Sequence, residues 1–126
     1  MNWNKFKNFS EWEFSCDYTD LNDMDEGFIS LLQQIRSVYS RPMIINSGYR
    51  HWTHPIERAK NRPGEHSLGL AADIAVSGIN NVVDLLVISH AHGIKRIGVY
   101  QSKEGHFLHL GIGDREHNYP HAIWTT

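Results

Sequence analysis

The sequence lacks several features that would place a protein in a specialised class. Cys16 is the only cysteine, so an internal disulfide is impossible. The longest apolar runs, such as residues 85–88, are far too short to span a bilayer. There is no block of lysine and arginine and the formal net charge is −2, so nucleic acid is a poor candidate for a partner. No repeat, low-complexity stretch or linker is present, and 126 residues predict a single domain.

The first residues also lack the apolar segment of a secretory signal peptide. Residues 1–7 mix polar and aromatic side chains instead. We therefore expect a protein that is made in the cytoplasm and that crosses a membrane only by some other route. The content of 40% hydrophobic and 21% charged residues is ordinary for a soluble globular protein, and we expect a monomer without membrane contact.

Apolar periodicity predicts an α+β fold. Residues 25–39 and 80–91 follow the 3.6-residue period of amphipathic helices, and the second is expected to bury Val83 among other apolar residues. A buried strand is predicted at 43–45 and further strands at 70–76, 94–100 and 107–112, and a polar turn joins the last two as a hairpin. Four aromatic residues are expected to cover one side of the core: Phe6, Phe9, Trp12 and Phe14. Together these elements predict a small, mainly antiparallel sheet with helices packed on one side.

Histidine is the one residue type in clear excess, with nine copies, and it is the commonest metal ligand. Asp73 lies inside an otherwise apolar strand, where a lone carboxylate is costly unless a partner such as a divalent cation pairs with it. In the last predicted strand, period-two alternation puts Leu108 and Leu110 in the core and His109 on the opposite face. The loop over residues 47–63 is unusually long for a compact domain, which indicates a functional role.

Three segments occur in an order that resembles the M15 family of zinc D-Ala-D-Ala peptidases. They are Ser47-Gly48-Tyr49-Arg50, His66-Ser67-Leu68-Gly69-Leu70-Ala71-Ala72-Asp73 and His106-Phe107-Leu108-His109. The resemblance covers residues 9–112 and is closest to short members of phage and prophage type. It implies a hedgehog/DD-peptidase-like fold and a zinc peptidase domain spanning residues 1–126. It also implies action on the stem peptide of peptidoglycan, as a D,D-carboxypeptidase or an endopeptidase of the endolysin type.

The predicted metal ligands are His66, Asp73 and His109. Two neutral imidazoles and one carboxylate suit a catalytic Zn²⁺, which takes three protein ligands and keeps one position open. Such a site keeps a net positive charge, so the metal can acidify water for attack on a carbonyl.

The general base is less well defined by the sequence. Many family members have an acidic residue three positions before the last histidine ligand, whereas this chain has His106 there. His106 is the favoured base, although it must lie in a turn or bulge to reach the side of His109. Glu104, at the preceding turn, is the alternative. By resemblance, Arg50 lines the substrate cleft and binds a carboxylate or the developing oxyanion, and Ser47 contacts substrate or holds the turn.

Two other functions stay open at this stage. A zinc-containing domain that binds the cell wall without turnover would share the metal site and lack a base. A structural zinc site would add a fourth protein ligand, with His106 as the candidate. The absence of an export segment and of a wall-binding module fits a small lysin whose release depends on another protein, such as a phage holin. It fits a truncated bacterial enzyme equally well.

Overall fold

The structure is a computed structural model that describes residues 1–103, 105–113 and 119–126. The helices are α1 (Glu11–Phe14), α2 (Glu26–Tyr39), α3 (Pro55–Arg58) and α4 (Ile79–Ala91). The strands are β1 (Ile44–Ser47), β2 (Ala71–Val76), β3 (Arg96–Ser102), β4 (Gly105–Gly111) and β5 (Ala122–Thr125). Short 3-10 turns lie at Trp3–Lys5 and Glu65–Leu68. In these ranges no helix has the length and apolar character that a bilayer crossing demands.

The five strands form one sheet in the order β1-β2-β4-β3-β5. All neighbours are antiparallel except β3 and β5, which are parallel. The predicted α+β class with a mainly antiparallel sheet is therefore confirmed, and β3 and β4 form the predicted hairpin. The sequence did not predict β5, because a four-residue strand parallel to a distant neighbour has no local turn pattern.

The core lies between one face of the sheet and the long helices. Helix α2 buries Phe28, Leu32 and Ile35, and strand β4 contributes Leu108 and Leu110 from the sheet. The period-two alternation of β4 sends the intervening residues to the other face. That second face carries the candidate site.

Three details of the predicted core are wrong. Trp12 is 78% exposed, because α1 is a single turn in which residues 12 and 14 point roughly 200° apart and only Phe14 is buried. Strand β1 was predicted to be buried, but it is an edge strand and its Ile44 is exposed. Val83 is also exposed, because α4 turns a narrower face towards the core, with Val82 and Leu85 buried.

Candidate metal centre

Three elements bring the predicted metal ligands together. Asp73 on β2 and His109 on β4 are directly paired in the antiparallel ladder, so their side chains share a face of the sheet. His66 comes from the 3-10 turn that immediately precedes β2. That turn ends at Gly69, whose φ of +72° and close approach to the backbone of Asp23 leave no room for a side chain.

The ligand atoms have the spacing of a cation site. Asp73 Oδ1 lies 3.3 Å from His66 Nε2 and 3.1 Å from His109 Nδ1. One ligand atom from each residue lies within 4.8 Å of the others. Zinc–ligand bonds of ~2.0–2.1 Å separate tetrahedral ligand atoms by roughly 3.3 Å, which matches these distances.

Both histidines are oriented by the nitrogen that faces away from the cluster. His66 Nδ1 lies 2.8 Å from the carbonyl oxygen of Gly48, which can only accept, so Nδ1 carries the proton and Nε2 is left with its lone pair. His66 Nε2 is buried and has no hydrogen-bond partner within the described part of the chain. His109 Nε2 lies 3.0 Å from Glu65 Oε1, which leaves Nδ1 facing Asp73. Histidine ligands of metals typically have such outer acceptors, so the donor set fits a bound cation.

The electrostatics of the cluster favour an ionised aspartate and one neutral imidazole. Burial would raise the pKa of Asp73, but the adjacent His109 and His66 outweigh it and hold that pKa well below its ordinary value. Burial lowers the pKa of His66 and keeps the ring neutral. Burial would also lower the pKa of His109, but the carboxylates of Asp73 and Glu65 outweigh it and raise that pKa. A cation at His109 therefore competes with protonation of this ring.

Two buried glutamates near the cluster were not singled out by the sequence. Glu65 accepts from His109, and hydrogen bonds from His109 and Arg96 outweigh its burial and lower its pKa. Glu57, on α3, accepts from Lys60 and from the backbone N–H of Gly64. Both glutamates lie in polar segments, where a glutamate is ordinarily exposed to solvent. The only sequence signal for a role in the site was the position of Glu65 directly before His66.

The cluster lies in a cleft of about 940 Å³, at the upper end of the range for small-molecule sites. The cleft is lined by the cationic side chains of Arg50, Lys60, Arg62 and Arg96 and by the aromatic rings of Tyr100, Phe107, Tyr119 and Trp124. Tyr100 and Phe107 stack with ring centroids 4.6 Å apart, and Trp124 donates to the Tyr100 hydroxyl at 2.7 Å. This side of the cleft is therefore a continuous aromatic wall.

Arg50 lines the cleft beside the cluster. Its side chain is 12% exposed, and Nη2 lies 3.9 Å from Asp73 Oδ2. Its Nε is buried without a hydrogen-bond partner among the described residues, and Glu57 Oε2 lies 3.7 Å away. The backbone N–H of Arg50 donates to the carbonyl oxygen of His66, which ties the two predicted site residues together.

The other predicted site residues are not brought to the cluster. His106 lies on the core-side face of β4 and lines a separate surface depression with Ile44 and Asn46. Its position beside His109 required a bulge, but the ladders of β4 with β2 and β3 run without a register shift over residues 106–111. The structure therefore does not bring His106 to the cluster, either as a base or as a fourth ligand. Ser47 pairs with Asp73 in the ladder but does not line the cleft, and Glu104 lies outside the described residues.

Two buried histidines and a half-buried aspartate, with an open cleft beside them, match the three-ligand arrangement of a catalytic metal site. The sequence model of the Peptidase M15 family matches residues 6–111, and the chain belongs to this family. M15 peptidases are zinc-dependent, so membership supports a zinc-dependent metallopeptidase. All three clustered residues lie inside the matched span. No curated protein matches the chain significantly.

Proposed function

We propose that this protein is a zinc peptidase that hydrolyses amide bonds in the stem peptides of peptidoglycan. The observation that carries the proposal is the cluster of His66, Asp73 and His109, which lines a cleft with cationic and aromatic side chains. The peptidoglycan substrate is supported by the three sequence motifs and their similarity to D-Ala-D-Ala peptidases. D,D-carboxypeptidase and endolysin-type endopeptidase are the two activities within this proposal.

Bound zinc would supply a Lewis acid that activates water and polarises the scissile carbonyl. His66, Asp73 and His109 would hold it. Arg50 then acts on the substrate, because its buried Nε has no acceptor among the described residues and its guanidinium lies beside the cluster. A planar guanidinium in this position binds a substrate carboxylate or the oxyanion that forms at the scissile bond.

The cationic and aromatic side chains that line the cleft suit a peptide with a charged end. Arg50 would attract a carboxylate, and the aromatic rings of Tyr100, Phe107 and Trp124 would pack against small apolar side chains and exclude water. The proton acceptor is still a prediction from the sequence. His106 faces away from the cluster, so Glu104 is the remaining candidate of the original pair.

The orientation of His106 favours one alternative function. A zinc-containing domain that binds the cell wall without turnover needs the cluster and the cleft but no base. We also propose that the protein acts on the cell wall after synthesis in the cytoplasm, with release by another protein such as a phage holin. These two proposals are independent, because location does not decide turnover.

Digestion of purified peptidoglycan, followed by mass spectrometry of the released peptides, separates the two functions. The peptidase produces new amino and carboxyl termini, and a chelator abolishes them. Arg50→Ala should lower the rate by about 10²–10³-fold while zinc still binds. Arg41→Ala is the matched control, because Arg41 is bound to Asp84 on α4, remote from the cleft. Stoichiometric zinc without any new termini would establish the binding domain instead.

A further inference from the structure

Glu65 is almost fully buried and is held by three donors. Its Oε1 accepts from His109 Nε2 at 3.0 Å and from Arg96 Nε at 2.6 Å, and its Oε2 accepts from the backbone N–H of Gly113 at 3.1 Å. Both carboxylate oxygens are therefore bonded. The side chain can neither rotate nor move towards the cluster without breaking at least one of these bonds.

The space that Glu65 occupies depends on a neighbouring residue of β4. A Cβ at Gly111 would overlap the Glu65 carboxylate, so the absent side chain of Gly111 is what admits it beside His109. Arg96, on β3, also donates to the carbonyl oxygen of Pro120 at 2.5 Å, just before β5. The carboxylate is thus held in one orientation by three different parts of the chain.

We propose that Glu65 is a positioning residue that keeps His109 protonated at Nε2, so that Nδ1 is the nitrogen offered to the metal. The inference rests on the proposed zinc site. An ionised carboxylate only accepts, so it stabilises the Nε2–H tautomer and repels the lone pair of the other one. His66 is held in the opposite tautomer by the carbonyl oxygen of Gly48, so the site combines Nε2 of one ring with Nδ1 of the other.

Two measurements test this role: zinc affinity by competition with a chromophoric chelator, and ¹⁵N NMR of the histidine rings. In the zinc-loaded wild type, His109 should show a protonated Nε2 and a ligated Nδ1, and His66 the reverse. Glu65→Ala should weaken zinc binding about 10–100-fold and mix the tautomers of His109 alone. Glu65→Gln, whose amide oxygen can still accept from Nε2, should preserve the tautomer and lose less affinity.

Glu57→Gln is the matched control, because Glu57 is the other buried glutamate of this region and has no hydrogen bond to a histidine in the part of the chain that the structure describes. It should leave zinc affinity and both ring spectra unchanged. Ligation of His109 through Nε2 in the wild type overturns the proposal even if Glu65→Ala does not fold. Unchanged zinc affinity and ring spectra in a folded Glu65→Ala variant overturn it as well, while the proposed zinc peptidase stands. A wild type that binds no zinc refutes the proposed function itself, and the inference with it.

Discussion

Replacing Gly111 with alanine should destabilise the protein far more than a single methyl group ordinarily does. Gly111 lies in β4 and its backbone angle is one that other residues adopt readily, so strain is not the cause. The cause is space. The added Cβ would lie 2.8 Å from Glu65 Cδ and 3.1 Å from Oε1, and would overlap Oε2. Either the carboxylate or the strand has to move.

The size of the effect follows from what each movement breaks. Overpacking in a tight region costs about 1–3 kcal/mol. Displacing Glu65 instead weakens hydrogen bonds to a charged group, worth about 1.5–3 kcal/mol each. Restriction of the unfolded chain by alanine offsets about 0.4–1 kcal/mol. We therefore expect the free energy of unfolding to fall by about 2–4 kcal/mol.

Equilibrium urea denaturation of the metal-free protein measures this loss, and a double-mutant cycle identifies its source. In a Glu65→Ala background the carboxylate is gone, so Gly111→Ala should be neutral or slightly stabilising. The coupling free energy between the two substitutions should then be close to the whole loss of stability that Gly111→Ala causes in the wild-type background. If Gly111→Ala costs the same in both backgrounds within about 0.5 kcal/mol, the overlap with Glu65 is not the reason and the argument fails.

Three further predictions follow from the same contacts. His106→Ala should change zinc affinity and cleavage rate by no more than about two-fold, because a surface substitution away from the cluster changes the free energy by no more than about 0.5 kcal/mol. If the variant loses its cleavage rate but still binds zinc, His106 is the base after all. Gly69→Ala should lower the urea midpoint more than Gly93→Ala, because both have positive φ but only Gly69 meets a backbone neighbour. Asp73 has a lowered pKa, so its ionised form stabilises the metal-free fold above its unfolded pKa of about 3.9, and this contribution disappears as pH falls through the folded pKa. Asp73→Asn should flatten the acid side of a plot of stability against pH, and an unchanged slope between pH 2 and 6 would contradict this.

The sequence predicted the parts of the fold that carry a strong apolar pattern. Helices α2 and α4 were found because their apolar residues recur every 3.6 positions, and strands β2, β3 and β4 because each is a short, largely apolar segment. Trp12 was misplaced because a single helical turn is too short to show a period. Strand β5 was missed because its partner β3 precedes it by more than twenty residues, and a four-residue pattern does not reveal so distant a neighbour.

The candidate site was likewise predicted only in part. The clustered triad was predicted because each ligand lies in a recognisable segment, whereas Glu65 was missed because its partners are 31, 44 and 48 residues away in the chain. Nothing local distinguishes a buried glutamate in a polar turn from a solvated one. His106 was expected beside the cluster because it lies three residues before His109. The regular ladder instead puts these two residues on opposite faces of β4.

The alternation that places His106 on the face opposite His109 also explains why the cluster can form before any cation binds. Leu108 and Leu110 are fully buried, and His109 lies between them on β4. A slip of one residue would bury His109 and expose both leucines, at a cost of roughly 1.5–3 kcal/mol for each leucine. The register is therefore fixed by the core, and through the ladder it fixes Asp73 opposite His109. Because folding alone sets this geometry, the cost of ordering the two strands does not have to be met by the free energy of cation binding. His66 Nε2 is buried and has no hydrogen-bond partner among residues 1–103, 105–113 and 119–126, which costs free energy in the metal-free fold. A cation that binds this nitrogen removes that cost.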